Sequence, residues 1–337
     1  MLVSGNTSAE LARLELSQSF SFWSPNFHDQ TMPRHLISLY DLTPDELQSI
    51  LAIAADLKAR YKTGDRPQLL PGRILAQMFE KPSLRTRNSF EAAFANLGGS
   101  GIFLTTAEAG LNGRESIHDV ATVLSSYSDV ITMRTFSHQL IEDFAKSSSC
   151  PVINALSDDR HPCQALTDLL TIKESRGHLA GTHLVFVGDG NNVSMSLAIA
   201  SAMTGMKFTL AVPSGFQFCG EFLADLRRRF PAADVHQVHD PAEAVASADF
   251  VYTDVWASMG QEEESERRKQ AFGKFQVDGT LMKQAPKSAR FMHDLPAKRG
   301  LEVTDDVIDG QQSIVFQQAE NRMHLARGLF AWLLCPS

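Results

Sequence analysis

From residue 33 onward, short apolar runs alternate with longer stretches whose hydrophobic residues recur at helical spacing. The apolar runs predict buried strands over 74–79, 101–104, 130–134, 152–154, 183–187, 208–212, 250–252 and 290–293. The longer stretches predict helices from 44 to about 61, from the 83–87 segment to about 97, and over 116–126, 139–146, 162–176, 194–204 and 318–334. Strands that alternate with helices are typical of parallel α/β units.

The division into domains follows from an interruption of this pattern. The alternation stops at 177–181 and then restarts, and at about 150 residues per domain the length of 337 suggests two domains. We therefore predict an α/β fold with two doubly wound parallel-sheet domains, 33–166 and 167–315, and an active-site cleft between them. The last helix, within 316–335, is expected to pack back on the first domain.

The first 31 residues differ from the rest of the chain. They are rich in Ser and Asn, lack an apolar signal core, and carry Glu10 and Glu15 but only one arginine, Arg13. Neither a secretory signal nor a mitochondrial transit peptide has this composition. We expect residues 1–31 to be a mobile extension or the product of a misplaced start.

Overall composition excludes several classes of protein. Lys plus Arg is 31 and Asp plus Glu is 39, so the net charge is −8, which argues against a general nucleic-acid binder. No apolar run approaches the ~18 residues that a membrane span needs. The four cysteines show no zinc-type spacing. Together these features favour a cytoplasmic protein in a reducing setting.

Polar clusters follow the predicted strands at 80–87, 134, 188–192, 254–260 and 293–296. Open parallel sheets bind ligands beyond the carboxyl ends of their strands. Two such edges that face each other would form the expected cleft.

The segment 79–87 is the strongest local candidate for an anion site. A strand end, a turn and a helix start bring backbone N–H groups and the positive end of a helix dipole together. Ser83 and Thr86 add hydroxyl groups, and Arg85 adds a guanidinium group that suits phosphate. From these residues alone, an N-cap followed by a solvated basic turn is an equally good interpretation.

An ordered set of motifs resembles the aspartate/ornithine carbamoyltransferase superfamily over about residues 33–335. The 83–87 segment is similar to its Ser-Thr-Arg-Thr-Arg loop, and His161-Pro162-Cys163-Gln164 to its His-Pro-x-Gln motif. The ornithine branch is resembled by the segments 189–192, 254–262, 293–297 and 320–322, which read DGNN, DVWASMGQE, HDLPA and ENR.

The resemblance implies roles for named residues. The residues implied to bind carbamoyl phosphate are Ser83, Leu84, Arg85, Thr86, Arg134, His161, Gln164, Asp294, Leu295 and Arg322. Those implied to bind ornithine, at its α-amino and α-carboxylate end, are Asn192, Asp254, Ser258 and Met259. Arg134 and His161 would donate to the carbonyl oxygen, and Asp294 would position the δ-amine. Taken singly, each residue also has an ordinary structural explanation, such as a surface ion pair or a helix cap.

Two positions depart from the family pattern. Leu84 replaces a threonine, which removes one hydroxyl and predicts weakened but not lost phosphate binding. Asp294 replaces a cysteine, whose pKa near ~8.5 suits proton transfer from an amine better than an ordinary aspartate near ~3.9. As an alternative, Asp294 only caps neighbouring backbone N–H groups.

The implied activity is transfer of the carbamoyl group from carbamoyl phosphate to the δ-amine of L-ornithine, by a homo-oligomer, expected to be a trimer, that needs no metal or cofactor. Residues 33–166 would bind carbamoyl phosphate and 167–315 would bind ornithine. One alternative is transfer to another amine, such as an N-acylated ornithine or putrescine. Another is a catalytically silent relative that binds carbamoyl phosphate. Hydride chemistry is a distant third, because Gly188–Val193 lacks the last glycine of a dinucleotide loop.

Overall fold

The computed structural model describes residues 33–257 and 264–335. Its strands are β1 (Ile74–Phe79), β2 (Ser100–Thr105), β3 (Val130–Arg134), β4 (Val152–Leu156), β5 (His183–Val187), β6 (Lys207–Ala211), β7 (Asp234–Val238), β8 (Phe250–Tyr252) and β9 (Arg290–Met292). The longer helices are α1 (Pro44–Lys62), α2 (Leu84–Asn96), α3 (Ile117–Tyr127), α4 (His138–Ser147), α5 (Pro162–Arg176), α6 (Asn192–Thr204) and α7 (Gly220–Arg229). The later helices are α8 (Pro241–Val245), α9 (Ser265–Phe272), α10 (Gly279–Met282), α11 (Asp305–Ile308) and α12 (Val315–Leu334), and a 3₁₀ turn covers Leu39–Asp41.

The strands form two sheets in which every pairing is parallel. The first sheet has the order β2-β1-β3-β4 and the second the order β7-β6-β5-β8-β9. This confirms the predicted α/β fold with two parallel sheets. In the first sheet, Phe79 pairs with Arg134, so the segments that follow β1 and β3 leave the sheet side by side.

Burial separates the predicted elements from the unpredicted ones. The strands β3 and β5 are buried along their whole length, and apolar runs mark both in the sequence. The strand β7 lies at a sheet edge and is half-exposed, so its polar sequence carries no apolar run. The helices α7 to α11 were also not predicted, and three of them are only four or five residues long.

The C-terminal helix α12 lies against helices from the first half of the chain. It packs on α1, α2 and α5, and its Gly328 faces Ala54 of α1. A Cβ atom at position 328 would lie 2.6 Å from the Ala54 Cβ, so glycine permits this close approach. The packing places the first turns of α12 near the carboxyl ends of the strands.

Two expectations concern the termini and membranes. The predicted extension 1–31 lies outside the described residues. Within the part of the chain that the structure describes, no helix combines the length and the apolar character needed to cross a membrane.

Candidate active site

A cavity of about 790 Å³ opens where the carboxyl ends of strands from both sheets face each other. The predicted site residues that line it are Ser83, Leu84, Arg85, Thr86, Arg134, His161, Asn192, Asp254, Asp294, Leu295 and Arg322. Gln164 does not line it. Ser258 and Met259 lie outside the described residues. The structure thus brings together eleven predicted residues that span 240 positions of the sequence.

One wall of the cavity is built on the turn from β1 into α2. Ser83 caps α2, and its Oγ accepts a hydrogen bond from the Thr86 backbone N–H at 3.2 Å. The buried Thr86 Oγ1 accepts hydrogen bonds from Arg134 Nη1 at 3.1 Å and from Arg322 Nη2 at 2.9 Å. We call this wall, formed by residues 83–86 with Arg134, His161 and Arg322, the cationic wall.

The charge of this wall follows from burial. Burial and the neighbouring Arg322 lower the pKa of Arg134 to about 10, so Arg134 stays charged at neutral pH. Burial, Arg322 and Arg134 lower the pKa of His161 well below its ordinary value, so His161 is neutral there. The Nε atoms of Arg134 and Arg322 are buried and find no hydrogen-bond partner among the described residues. A wall of this kind favours an anionic ligand.

Gln164 lies behind the cationic wall, on the first turn of α5. It is fully buried, and its Oε1 accepts a hydrogen bond from Arg322 Nη1. Its Nε2 donates to Asp168 Oδ1 at 2.9 Å. Both ends of the amide therefore already have protein partners, and Gln164 positions Arg322 in this structure.

The opposite wall carries two carboxyl groups, Asp254 after β8 and Asp294 after β9; we call it the acidic wall. Asp254 accepts hydrogen bonds from the Val255 backbone N–H at 2.7 Å and from Asn191 Nδ2 at 3.1 Å. Burial, reinforced by the nearby charge of Asp294, raises the pKa of Asp254 well above its ordinary value. Two carboxyl groups with oxygen atoms within 4.8 Å of each other favour a cationic ligand.

His293 supports the acidic wall from behind. Its Nδ1 accepts from the Leu295 backbone N–H at 2.9 Å and lies 3.4 Å from Asp294 Oδ1. Burial alone would lower the pKa of His293, but Asp294 and Glu302 raise it to about 9, whereas the Leu295 contact favours the neutral ring. Potential metal-ligand atoms of Asp254, His293 and Asp294 lie within 4.8 Å of one another. Because Nδ1 faces Leu295 and Nε2 lies 3.4 Å from Glu302, His293 presents neither nitrogen to the cavity.

The two adjacent asparagines at the start of α6 have different partners. Asn192 Nδ2 donates to the Ser157 carbonyl at 2.6 Å, and its Oδ1 accepts from the Val193 N–H at 3.0 Å. Asn191, which sequence reasoning did not select, is the residue that contacts Asp254. Both asparagines line the cavity.

Three further cations in the cavity lining, Lys81, Arg268 and Lys298, were missed. Lys81 is buried and pairs with Asp158 at 2.7 Å, and its position inside the 79–87 motif was a usable signal. Arg268 pairs with Asp189 at 2.7 Å and donates to the Trp256 carbonyl at 2.8 Å. Nothing in the local sequence around Arg268 indicates this contact.

Comparison with known proteins identifies the family. The carbamoyl-phosphate-binding domain of the aspartate/ornithine carbamoyltransferases matches residues 34–174, and the aspartate/ornithine-binding domain matches 180–333. The chain therefore belongs to the aspartate/ornithine carbamoyltransferase family.

Individual relatives point to one branch. The chain is 47% identical over 303 residues to the ornithine carbamoyltransferase of Pyrococcus abyssi, covering 89% of this chain and 96% of that protein. It is 44% identical over 307 residues to the ornithine carbamoyltransferase of Anoxybacillus flavithermus, covering 90% and 98%. The solved ornithine carbamoyltransferase from Pyrococcus furiosus is similar with a TM-score of 0.86 and 46% identity, covering 89% of this chain and 97% of that one.

Proposed function

We propose that this chain transfers the carbamoyl group of carbamoyl phosphate to the δ-amine of L-ornithine, giving L-citrulline and phosphate. The observation that carries the proposal is the opposite charge of the two walls of one cavity. The cationic wall suits a phosphate, and the acidic wall suits an alkylammonium group. The family and the named relatives support the same reaction.

On the cationic wall, Ser83, Arg85 and Thr86 hold the phosphate together with the N–H groups at the start of α2. Leu84 contributes its backbone. Arg134 and the neutral His161 donate to the carbonyl oxygen, where negative charge develops as the amine attacks.

On the acidic wall, Asp294 binds the δ-ammonium group and orients it toward the carbamoyl carbon. The amine must lose a proton before it can attack, because a free alkylammonium group has a pKa near ~10.4. Asp294 replaces the cysteine of the family motif and accepts or relays this proton. Asn192 and Asp254 bind the α-amino acid end. Ser258 and Met259 remain assigned to the same end by the family resemblance.

The test is citrulline formation by purified protein with carbamoyl phosphate and L-ornithine, run beside N-acetylornithine and putrescine as acceptors. We expect turnover with ornithine and little with the other two. Turnover with N-acetylornithine or putrescine but not with ornithine would show that the enzyme is specific for another amine. Binding of carbamoyl phosphate without turnover on any acceptor would overturn the assignment as an enzyme.

The assembly is part of the proposal. The edge strand β2 exposes Ile102, and the following helix α3 exposes Val123 and Tyr127. Exposed apolar groups on a sheet edge are typical of an interface, and we propose a homotrimer on the basis of the family resemblance. Light scattering should give about three times the chain mass of 37.1 kDa. Tyr127→Asp should reduce that mass, and a monomeric wild-type protein would contradict the proposal.

We also propose that the protein works in the cytoplasm. Its four cysteines, Cys150, Cys163, Cys219 and Cys335, are all free. Unpaired thiols suit a reducing compartment. Recovery of the protein in an exported fraction of cells would contradict this placement.

A further inference from the structure

A chain of buried polar side chains connects the two walls of the cavity behind its surface. It consists of Gln164 and Asp168 on α5, Tyr252 at the end of β8, Gln318 on α12, and the backbone N–H of His293 after β9. Each of these residues is at most 1% exposed. None of the four side chains reaches the cavity.

Asp168 is the centre of this network. Its Oδ1 accepts hydrogen bonds from Gln164 Nε2 at 2.9 Å and from Gln318 Nε2 at 2.7 Å. Its Oδ2 accepts from the Tyr252 hydroxyl at 3.2 Å. One carboxyl oxygen thus accepts hydrogen bonds from two amide groups, one on α5 and one on α12.

This arrangement decides which way both amides point. Because the Gln164 NH₂ group faces Asp168, its oxygen faces Arg322 on the cationic wall. Because the Gln318 NH₂ group faces the same oxygen, its carbonyl accepts the His293 N–H at 2.9 Å. If either amide were reversed, its NH₂ group would face another donor. That donor is the Arg322 guanidinium group for Gln164 and the His293 backbone N–H for Gln318.

We propose that Asp168 is a positioning residue that couples the carbamoyl-phosphate subsite to the amine subsite. Through Gln164 it orients Arg322, and through Gln318 it fixes the backbone that carries Asp294 and Leu295. Movement of Arg322 onto a bound phosphate is therefore transmitted to the 293–295 segment. The inference rests on the proposed function, since it names the substrates of that reaction.

The protonation state of Asp168 does not alter this role. Burial raises the pKa of Asp168 to about 8, so the carboxyl group is protonated over much of the neutral range. A proton on Oδ2 leaves Oδ1 free to accept from both amides. An asparagine at position 168 keeps the same oxygen, whereas an alanine removes it.

The experiment measures coupling between the subsites. The affinity for 2-aminopentanoate, which has the ornithine skeleton without the reactive amine, is determined by calorimetry with and without saturating carbamoyl phosphate. Wild-type protein should bind it at least about fivefold more tightly in the presence of carbamoyl phosphate. Asp168→Ala should bring this ratio close to one and lower kcat, and Asp168→Asn should restore most of the ratio.

Thr171→Val is the matched control, because Thr171 lies one turn further along α5 and accepts from Asn321 of α12 at 2.9 Å. It removes a buried polar contact between the same two helices and should lower the melting temperature while leaving the ratio unchanged. If Asp168→Ala does not fold, Gln318→Leu removes one arm of the network and should also abolish the coupling.

Uncoupled wild-type subsites would overturn the inference, and so would an Asp168→Ala protein that keeps the wild-type ratio. If Thr171→Val also brings the affinity ratio close to one, loss of any buried contact between α5 and α12 would abolish the coupling. The role of Asp168 would then be purely structural. Ornithine turnover is measured on the same wild-type preparation. Its absence would refute the proposed function, whereas an active enzyme with uncoupled subsites would refute only the coupling.

Discussion

The two walls of the cavity solve opposite electrostatic problems in different ways. The cationic wall orders its guanidinium groups around a neutral hydroxyl, since Arg134 and Arg322 both donate to Thr86. The acidic wall places two carboxyl groups near each other, and the pKa of Asp254 rises in response to burial and to Asp294. Arginine keeps its charge when it is buried, whereas a carboxyl group can become neutral.

This difference indicates that the two walls respond differently to pH and to mutation. The cationic wall stays charged over the neutral range and should bind its anion at constant strength. The acidic wall should change its charge with pH and with the arrival of a cationic substrate. The predictions below test this contrast, from the largest expected effect to the smallest.

The largest effect should come from Arg134→Ala. It removes the donor to the developing oxyanion, and a loss of about 10³-fold in kcat/KM is expected. Steady-state citrulline formation measures it. The control is Arg176→Ala, which breaks a partly exposed pair with Asp249 outside the cavity and should change kcat/KM less than about twofold. A mild Arg134→Ala phenotype would remove Arg134 from the oxyanion role.

On the acidic wall, Asp294→Asn should lower kcat/KM for ornithine by about 100-fold, because an amide cannot accept the proton or balance the ammonium charge. Carbamoyl-phosphate affinity should stay the same. Asp294→Cys restores the family residue and should keep activity. Unchanged kcat and KM in Asp294→Asn would show that this side chain only caps neighbouring backbone.

The pH dependence of ornithine binding should separate the two walls. As the pH falls, Asp254 takes up a proton at a higher pH than an ordinary aspartate does, because burial and Asp294 raise its pKa, and the acidic wall loses negative charge. The Kd for ornithine, measured with phosphate present, should rise by roughly tenfold once Asp254 is protonated. This change is equivalent to about one pKa unit of interaction. 2-Aminopentanoate keeps the α-ammonium group that Asp254 faces, so its Kd should rise to a similar extent. A Kd that stays constant for both ligands would contradict the contrast.

Thr86→Val tests how the cationic wall is ordered. Its hydroxyl is the shared acceptor for Arg134 and Arg322, and without it both arginines lose one partner. We expect KM for carbamoyl phosphate to rise about fivefold to tenfold, the value of roughly one hydrogen bond. Thr86→Ser keeps the hydroxyl and is the matched control. A KM that does not change would show that the arginines hold their positions independently of Thr86.

The smallest effect should come from Leu84→Thr. The Leu84 side chain is 74% exposed at the edge of the cavity, so its replacement costs little stability. A threonine restores the hydroxyl of the family loop and should tighten carbamoyl-phosphate binding by about twofold to fivefold. Calorimetric titration of the variant beside the wild type measures this change. Weaker binding would mean that the leucine itself contributes to the subsite.

The sequence predicted elements wherever burial leaves a pattern. The strands β1, β3, β5 and β8 were placed with their observed bounds, because a strand between two packed layers must be apolar. The edge strand β7 and the short helices α8, α10 and α11 have no such requirement. They were missed for that reason.

The same division holds for the site. Most polar side chains that contact the cavity lie in recognisable motifs, although Arg268 does not, and eleven of the predicted residues line it. Residues that act only through other residues carry no recognisable sequence motif. Asp168 and Gln318 lie 150 positions apart, and only the packing of α12 on α5 reveals that they meet. Asn191 was passed over for Asn192 because adjacent residues of the same type cannot be distinguished without their partners.

The path of the chain between its two sheets has a mechanical consequence. It passes from the first sheet to the second along α5, and it comes back once, through residues 309–314 into α12. A body attached at two points can rotate only about the line that joins them. Rotation of the second sheet would thus follow a single axis near α5 and α12. Groups close to the axis would keep their contacts, while the far rim of the cavity would sweep the widest arc.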